Sequence, residues 1–297
     1  MAEDEGKTAM TELIAAKDQP TKPQRLGSAV FNLLFALITL VFVPLCALLS
    51  FVPGRKALMW GVRTYTRTLV AAFEEFCGVD VEIRGIGLLP EGACIIAAKH
   101  QSYGDGPVMV SRVDDISFVA DDHIAKLTVM RRILEKLGAV LIDNKGGDGE
   151  REKVNQLAAR VREQGRKMLI YPEGHLSEVG TRHRYRRGVW HIYRDFDCPV
   201  VPVATNLGQR WNQNRWIKHS GRAVVEFLPP IPPGMDKEPF MELLEARIET
   251  RSRELLDLDE PGLLDPANIG KLTENPKARE KREAREREEA RRAMTAD

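Results

Sequence analysis

Residues 94–107 read CIIAAKHQSYGDGP: an apolar run, one lysine, then a histidine and an aspartate five positions apart among turn-forming residues. The run is short and uninterrupted, which suits a strand buried on both faces better than an alternating, half-solvated one. Gly104, Gly106 and Pro107 break it and set up a turn that opens a helix. Asp105 then has two readings. It is the N-cap of that helix, or the turn folds its carboxylate back onto the imidazole of His100, fixing the tautomer and stabilising the imidazolium as His100 takes up a proton. On a continuous helix this spacing would put the two side chains on different faces, so only the turn can bring them together.

The same alternation of elements continues outward from this stretch. Strands are expected at 79–85, 93–99, 116–120, 139–143, 167–173, 199–206 and 223–230, with helices at 128–138, 149–165, 187–196 and 239–256. Continuously apolar strands separated by helices predict an α/β fold, a largely parallel sheet flanked by helices. Ligands in such sheets bind beyond the carboxyl ends of the strands. His100 follows one strand and Glu173-Gly174 close another.

Upstream, no charged residue occurs between Arg25 and Arg55, a run longer than the ~20 residues that cross a bilayer core. Pro44 leaves a bent or re-entrant insertion open beside a straight span. In the following segment Lys56, Arg63 and Arg67 share one helical face, opposite Leu58, Val62, Tyr65, Leu69, Phe73 and Phe76. That pattern suits a helix lying in an anionic membrane surface, or an ordinary helix packed on the domain. The basic residues after the apolar run place the body on the cytoplasmic face. The domains expected are a polar N-terminal tail (1–25), membrane-inserting and amphipathic helices (26–76), a catalytic domain (77–260) and a charged, solvated tail (261–297).

Lysine plus arginine number 44 against 43 acidic residues, a balance that argues against a nucleic-acid partner. The four cysteines are scattered with no C-x-x-C pair, so neither a zinc site nor a disulfide framework is indicated. GIGLLPEG (85–92) has Pro90 where a dinucleotide fingerprint needs glycine, DNKGGDG (143–149) lacks a calcium-loop ligand at its third position, and Ser102 lacks the G-x-S-x-G context of a nucleophile.

Four blocks resemble the glycerolipid acyltransferase family, in order and with its spacing, over about residues 80–210. KHQSYGD resembles the family's H-x4-D motif, YPEG its F-P-E-G block, RRGV its K-x-G-[AV] segment and VPVATN its V-P-V-[AG] strand. GAVLIDNKGG (138–147) occupies the place of the block ending in [DN]-R. The resemblance implies direct acyl transfer from a thioester, acyl-CoA or acyl carrier protein, to a lysolipid hydroxyl, with no cofactor or metal. His100 would be the general base, Asp105 its orienting partner, and Glu173 and Gly174 would shape the acceptor pocket. The acceptor it implies is 1-acylglycerol-3-phosphate, giving phosphatidic acid.

Two positions depart from the family. F-P-E-G is usually followed by Thr-Arg, and here by His175-Leu176; the second block's arginine falls at Asn144, with Lys145 beside it. Lys145, Arg182, Arg184, Arg186 and Arg187 are the cations that could hold a phosphate in their place, or they form a solvated, membrane-facing patch. A lysolipid with another headgroup, such as lyso-ornithine lipid, is the rival acceptor. Outside this class stand a metal-dependent lipid hydrolase using His100, Asp105, Glu173 and His175, and a non-catalytic membrane adaptor.

Overall fold

A computed structural model describes residues 21–121, 128–142, 148–213, 215–260, 262 and 264–274. The chain begins with two packed helices, α1 (Lys22–Leu49) and α2 (Lys56–Cys77), and continues into β1 (Val79–Arg84), β2 (Cys94–Ala98) and α3 (Asp105–Arg112). Next come β3 (Ile116–Asp121), α4 (Thr128–Leu137), β4 (Val140–Ile142), α5 (Asp148–Glu163) and β5 (Lys167–Ile170). The last part holds β6 (Arg182–His183), α6 (Gly188–Phe196), β7 (Val200–Thr205), β8 (Gly221–Phe227), α7 (Lys237–Glu254) and β9 (Leu272–Thr273).

Seven strands form one sheet in the order β1-β8-β7-β2-β5-β3-β4. Every junction is parallel except β7–β8, so β1 and β8 run against the other five. The largely parallel α/β sheet expected from the apolar runs is present. The central strand β2 is buried at every position, as is its neighbour β7. Alternation along β2 sorts its side chains between two cores. Ile96 and Ala98 face a cluster with Phe31, Phe73 and Val108, supplied by α1, α2 and α3, and Trp211 from the segment after β7. Ile95 and Ala97 face the opposite cluster, with Ile192 and Phe196 of α6 and Phe240, Leu244 and Ile248 of α7. The chain leaving β2 therefore reaches the α3 side with one residue and the α7 side with the next.

The N-terminal helices differ from the expected picture in one respect. Leu58, Leu69 and Phe73 on the apolar face of α2 are fully buried, so that face is core and is not laid on a membrane. Two of the three basic side chains are turned to the body as well, Arg63 pairing with Asp114 and Arg67 donating to the Ser111 carbonyl, as Arg55 just before the helix bridges Asp115; Lys56 is exposed. Periodicity reports an amphipathic helix and cannot say what covers its apolar face. The exposed apolar surface belongs to α1 instead, where Leu33, Leu37, Leu40, Val41 and Leu48 face outward. Among the described residues α1 is the one helix long and apolar enough to cross a membrane. Its opposite side is fastened to the body: Gly27 lies so close to the Phe76 carbonyl that a Cβ would meet it at 2.1 Å, and Phe31 packs edge-on to Trp211 at 5.0 Å.

Past residue 260 the chain does not leave the body at once. Leu264 is buried beside Gly180, and β9 pairs with β6 through Leu272 and Thr273. The polar composition hid this, because two paired residues have no period to read. The first twenty residues and those from 275 on lie outside the described residues.

Two predictions follow from this packing. Replacing Phe31 by Ala removes an aromatic that three ring contacts hold in the core, and should cost about 3–5 kcal/mol in denaturant unfolding of the detergent-solubilised chain. Leu40→Ala, on the exposed side, should change it by less than ~0.5 kcal/mol. Two buried histidines also titrate. Burial, with His175 and Lys99 nearby, lowers His183 to about 4; burial, with Arg210, Arg215 and Lys218, lowers His219 to about 4. Both are neutral when folded, whereas unfolded histidine protonates below ~6.5, so the unfolded state binds more protons between these values and stability is lost as pH falls from 6.5 towards 4. The thermal midpoint should already drop between about pH 6.5 and 5, above most carboxylate titration, and His183→Gln with His219→Gln should flatten that slope.

Candidate active site

The site forms where β2 gives way to the turn before α3. A single oxygen organises that turn: Asp105 Oδ2 accepts the backbone N–H groups of Gln101 and Ser102, both at 2.8 Å, and lies 2.9 Å from His100 Nδ1. Two of these donors are amides, so the oxygen carries no proton and the third contact must be donated by Nδ1–H. Nε2 is then the nitrogen with a free lone pair. Asp105 begins α3, with Gly104 preceding it as the cap; its carboxylate turns back over the preceding residues and does not cap the helix. Of the two readings of Asp105, the structure takes the fold-back.

Small and polar residues make the turn possible. The Ser102 hydroxyl donates to the Trp211 carbonyl at 2.6 Å and accepts the Gly104 N–H at 2.9 Å, which makes it a structural brace. A Cβ on Gly104 would meet the Trp211 ring at 2.6 Å. Only glycine lets the turn seat against that indole, and the same indole packs on Phe31 and Phe73.

The rest of His100 is held from the other side. Its backbone N–H donates to Glu173 Oε1 at 2.9 Å, and its carbonyl accepts from both the N–H and the hydroxyl of Ser177, at 2.8 and 3.0 Å. Tyr171 stacks on the imidazole, 3.8 Å between centroids and 14° from parallel. Among the described residues every polar group of His100 except Nε2 has a partner, and the side chain is 22% exposed against 4% for Asp105. The Tyr171 hydroxyl and Asp105 Oδ1 are buried without partners among the described residues, and burial together with the Asp105 charge pushes the Tyr171 phenol well above its ordinary value.

Glu173 does not shape an open pocket, as the sequence suggested. It is fully buried, with one oxygen on the His100 amide and the other 3.0 Å from Lys99 Nζ. A carboxylate at the end of a buried strand must be paired, and Lys99, next to His100, is the cation within reach. Gly174 adopts φ +70°, and the Arg186 side chain lies where a Cβ would be, its Nε 2.3 Å from that point. Arg186 is thus the cation of its loop that the structure brings to the site. Arg182, Arg184 and Arg187 are exposed, and Arg182 lines a separate cavity of about 320 Å³ with Lys99, Glu249 and other residues of α7. Lys145 and Asn144 lie outside the described residues.

Beside these stand two histidines. His175 Nδ1 lies 2.9 Å from the Glu173 carbonyl, and its ring meets His183 edge-on at 4.3 Å. Burial is the main cause that lowers His175 from its ordinary value. Among the described residues no three His, Cys, Asp or Glu side chains are grouped to hold a metal ion. The ligand set of a metal hydrolase does not assemble, because both oxygens of Glu173 face the protein. Reading the motifs alone missed Lys99 and Glu249. Lys99 carried a signal, a lysine closing an otherwise apolar strand; Glu249, one of many charges on α7, carried none.

Comparison with known proteins agrees with this geometry. A family model described as Acyltransferase matches residues 80–206. The chain is 25% identical over 207 residues, 69% of its length and 80% of the other, to the 1-acyl-sn-glycerol-3-phosphate acyltransferase of Pseudomonas aeruginosa. It is 24% identical over 216 residues, 69% and 70% of the two lengths, to the alpha form from Ovis aries. The crystal structure of the 1-acyl-sn-glycerophosphate acyltransferase PlsC from Thermotoga maritima shares the fold, with a TM-score of 0.63, 19% identity, and 77% and 95% of the two chains covered. The Acyltransferase match over residues 80–206, the curated relatives and the shared fold support the resemblance to the glycerolipid acyltransferase family that the order of the blocks carries.

Proposed function

We propose that this chain moves a fatty acyl group from acyl-CoA or acyl carrier protein to the free hydroxyl of 1-acylglycerol-3-phosphate, giving phosphatidic acid. The observation that carries the reading is the Asp105 oxygen, which fixes Nδ1–H and leaves Nε2 as a base. His100 Nε2 takes the hydroxyl proton as the oxygen attacks the thioester carbonyl. The C–S bond breaks, and the departing thiolate recovers the proton from the imidazolium, so the enzyme ends as it began. Asp105 stabilises the imidazolium while the proton is held. Oxygen goes directly to carbonyl carbon, and Ser102, spent on Trp211 and Gly104, need not be acylated.

The acceptor assignment draws on the relatives' names and on Arg186. With Leu176 at the family's cation position, Arg186 over Gly174 is the guanidinium best placed for the phosphate. The outward apolar side of α1 supports a membrane site of action, and Arg55 and Lys56 after it support a cytoplasmic catalytic face.

The test is an acceptor panel with labelled acyl-CoA and acyl carrier protein. His100→Ala should lower turnover at least ~10²-fold in a folded protein, and Asp105→Asn should also be severe because it frees the wrong tautomer. Arg186→Gln should raise KM for 1-acylglycerol-3-phosphate about 10–100-fold, the cost of one charge-assisted phosphate contact. Near-normal turnover in folded His100→Ala contradicts the mechanism; equal use of the lysophosphatide by Arg186→Gln contradicts the phosphate assignment.

A further inference from the structure

Lys99 takes no part in the steps above, yet it is one of the most deeply buried charges in the molecule, 1% exposed. Its ammonium lies 3.0 Å from Glu173 Oε2, 2.9 and 3.0 Å from the two oxygens of Glu249, and 3.0 Å from the Thr181 carbonyl. Three partners use all three of its N–H donors. Glu249 Oε1 also accepts the Tyr185 hydroxyl at 2.9 Å, which ties the pair to the chain leading into α6. Burial opposes the charge on Lys99, but Glu173 and Glu249 outweigh it and hold the ammonium above the ordinary lysine value.

Stability alone gives little reason for such a cluster. Buried ion pairs are often replaced by apolar side chains at no loss, because the desolvation of the charges offsets their attraction. What the cluster touches supplies a better reason. Glu173 takes the N–H of His100 with its other oxygen. Thr181 ends the loop that begins at Gly174 and sends Ser177 to the His100 carbonyl. Alternation at the end of β2 sends Lys99 to the α7 side and His100 to the α3 side, so one peptide unit carries both.

We infer that Lys99 and Glu249 are positioning residues for the acyl transfer: the buried pair fixes Glu173 and the 174–181 loop, and through them the backbone of His100, so that Nε2 meets the acceptor hydroxyl in line. Glu249 lies beyond residues 80–206, the part of the chain that the family model matches. The inference rests on His100 as the base. A shift of about 1 Å in a catalytic group is enough to cost up to ~10²-fold in rate without weakening substrate binding.

The test separates position from stability. Lys99→Met alone leaves two buried carboxylates facing each other and should unfold readily. Lys99→Met/Glu249→Leu removes one of those carboxylates and leaves Glu173 on the His100 amide alone, so its thermal midpoint should recover part of the loss. Its kcat should nonetheless stay about tenfold or more below wild type, with KM for both substrates within about twofold. Should the double variant not fold, Glu249→Gln can keep the bonds that Oε1 accepts from Lys99 and Tyr185 while it loses the charge and the Oε2 bond, and its kcat should fall about threefold or more at unchanged KM. Wild-type kcat in either folded variant overturns the inference, as does a loss that appears only in KM. His100→Ala is measured alongside. If it is inactive while the double variant is fully active, only the positioning role fails; if it is active, the base assignment itself fails.

Discussion

One carboxylate oxygen sets the geometry of this protein's working end. Asp105 Oδ2 gathers two backbone amides and an imidazole N–H within 2.9 Å. The six residues between strand and helix, 99–104, bring the amides of Gln101 and Ser102 into a buried turn, and an unpaired buried amide costs about 1–3 kcal/mol. The aspartate meets that need and, in the same contact, selects the tautomer of His100. The spacing of the motif is therefore a folding requirement as much as a chemical one. A shorter separation would leave no turn for the carboxylate to close, and a longer one would free the amides.

Around that oxygen the fold supplies rigidity from both sheet faces. On the α3 side, Trp211 seats the turn through Gly104 and Ser102 and is itself held by Phe31 of α1 and Phe73 of α2. The apolar N-terminal helix is thus part of the framework of the site as well as its outward apolar surface. On the α7 side, Glu173 and Ser177 hold the His100 backbone. In the proposed reaction, a histidine fixed at amide, carbonyl and Nδ1 would lose little freedom on reaching the transition state, which is how a rigid scaffold would contribute to proton transfer.

Much of this was legible in the chain itself. The seven expected strands are the seven strands of the main sheet: runs buried on both faces, such as β2 and β7, need no alternation, and β1 shows the alternation of a half-solvated edge strand. The H-x4-D pair and P-E-G were legible because turns demand particular residues. Three features were not. The basic and apolar faces of α2 were visible, but only packing tells that Leu58, Leu69 and Phe73 turn inward. Glu173 read as a pocket carboxylate because sequence gives no side-chain direction past the end of a strand, and its partner Lys99 lies 74 positions away and also meets Glu249, 150 positions further along the chain from Lys99. The β6–β9 pairing joins residues 90 apart through two-residue strands with no pattern of their own.

The central claim, that Asp105 holds His100 with its proton on Nδ1 and its lone pair on Nε2, can be measured directly. The full chain, labelled with ¹⁵N-histidine in detergent micelles, has six histidines, and His100→Gln identifies the signal of interest. At neutral pH the two-bond nitrogen–proton pattern of His100 should be that of the Nδ1–H tautomer, with Nε2 unprotonated. An Nε2–H tautomer with a bare Nδ1 would contradict the account, because no base would then face the acceptor hydroxyl.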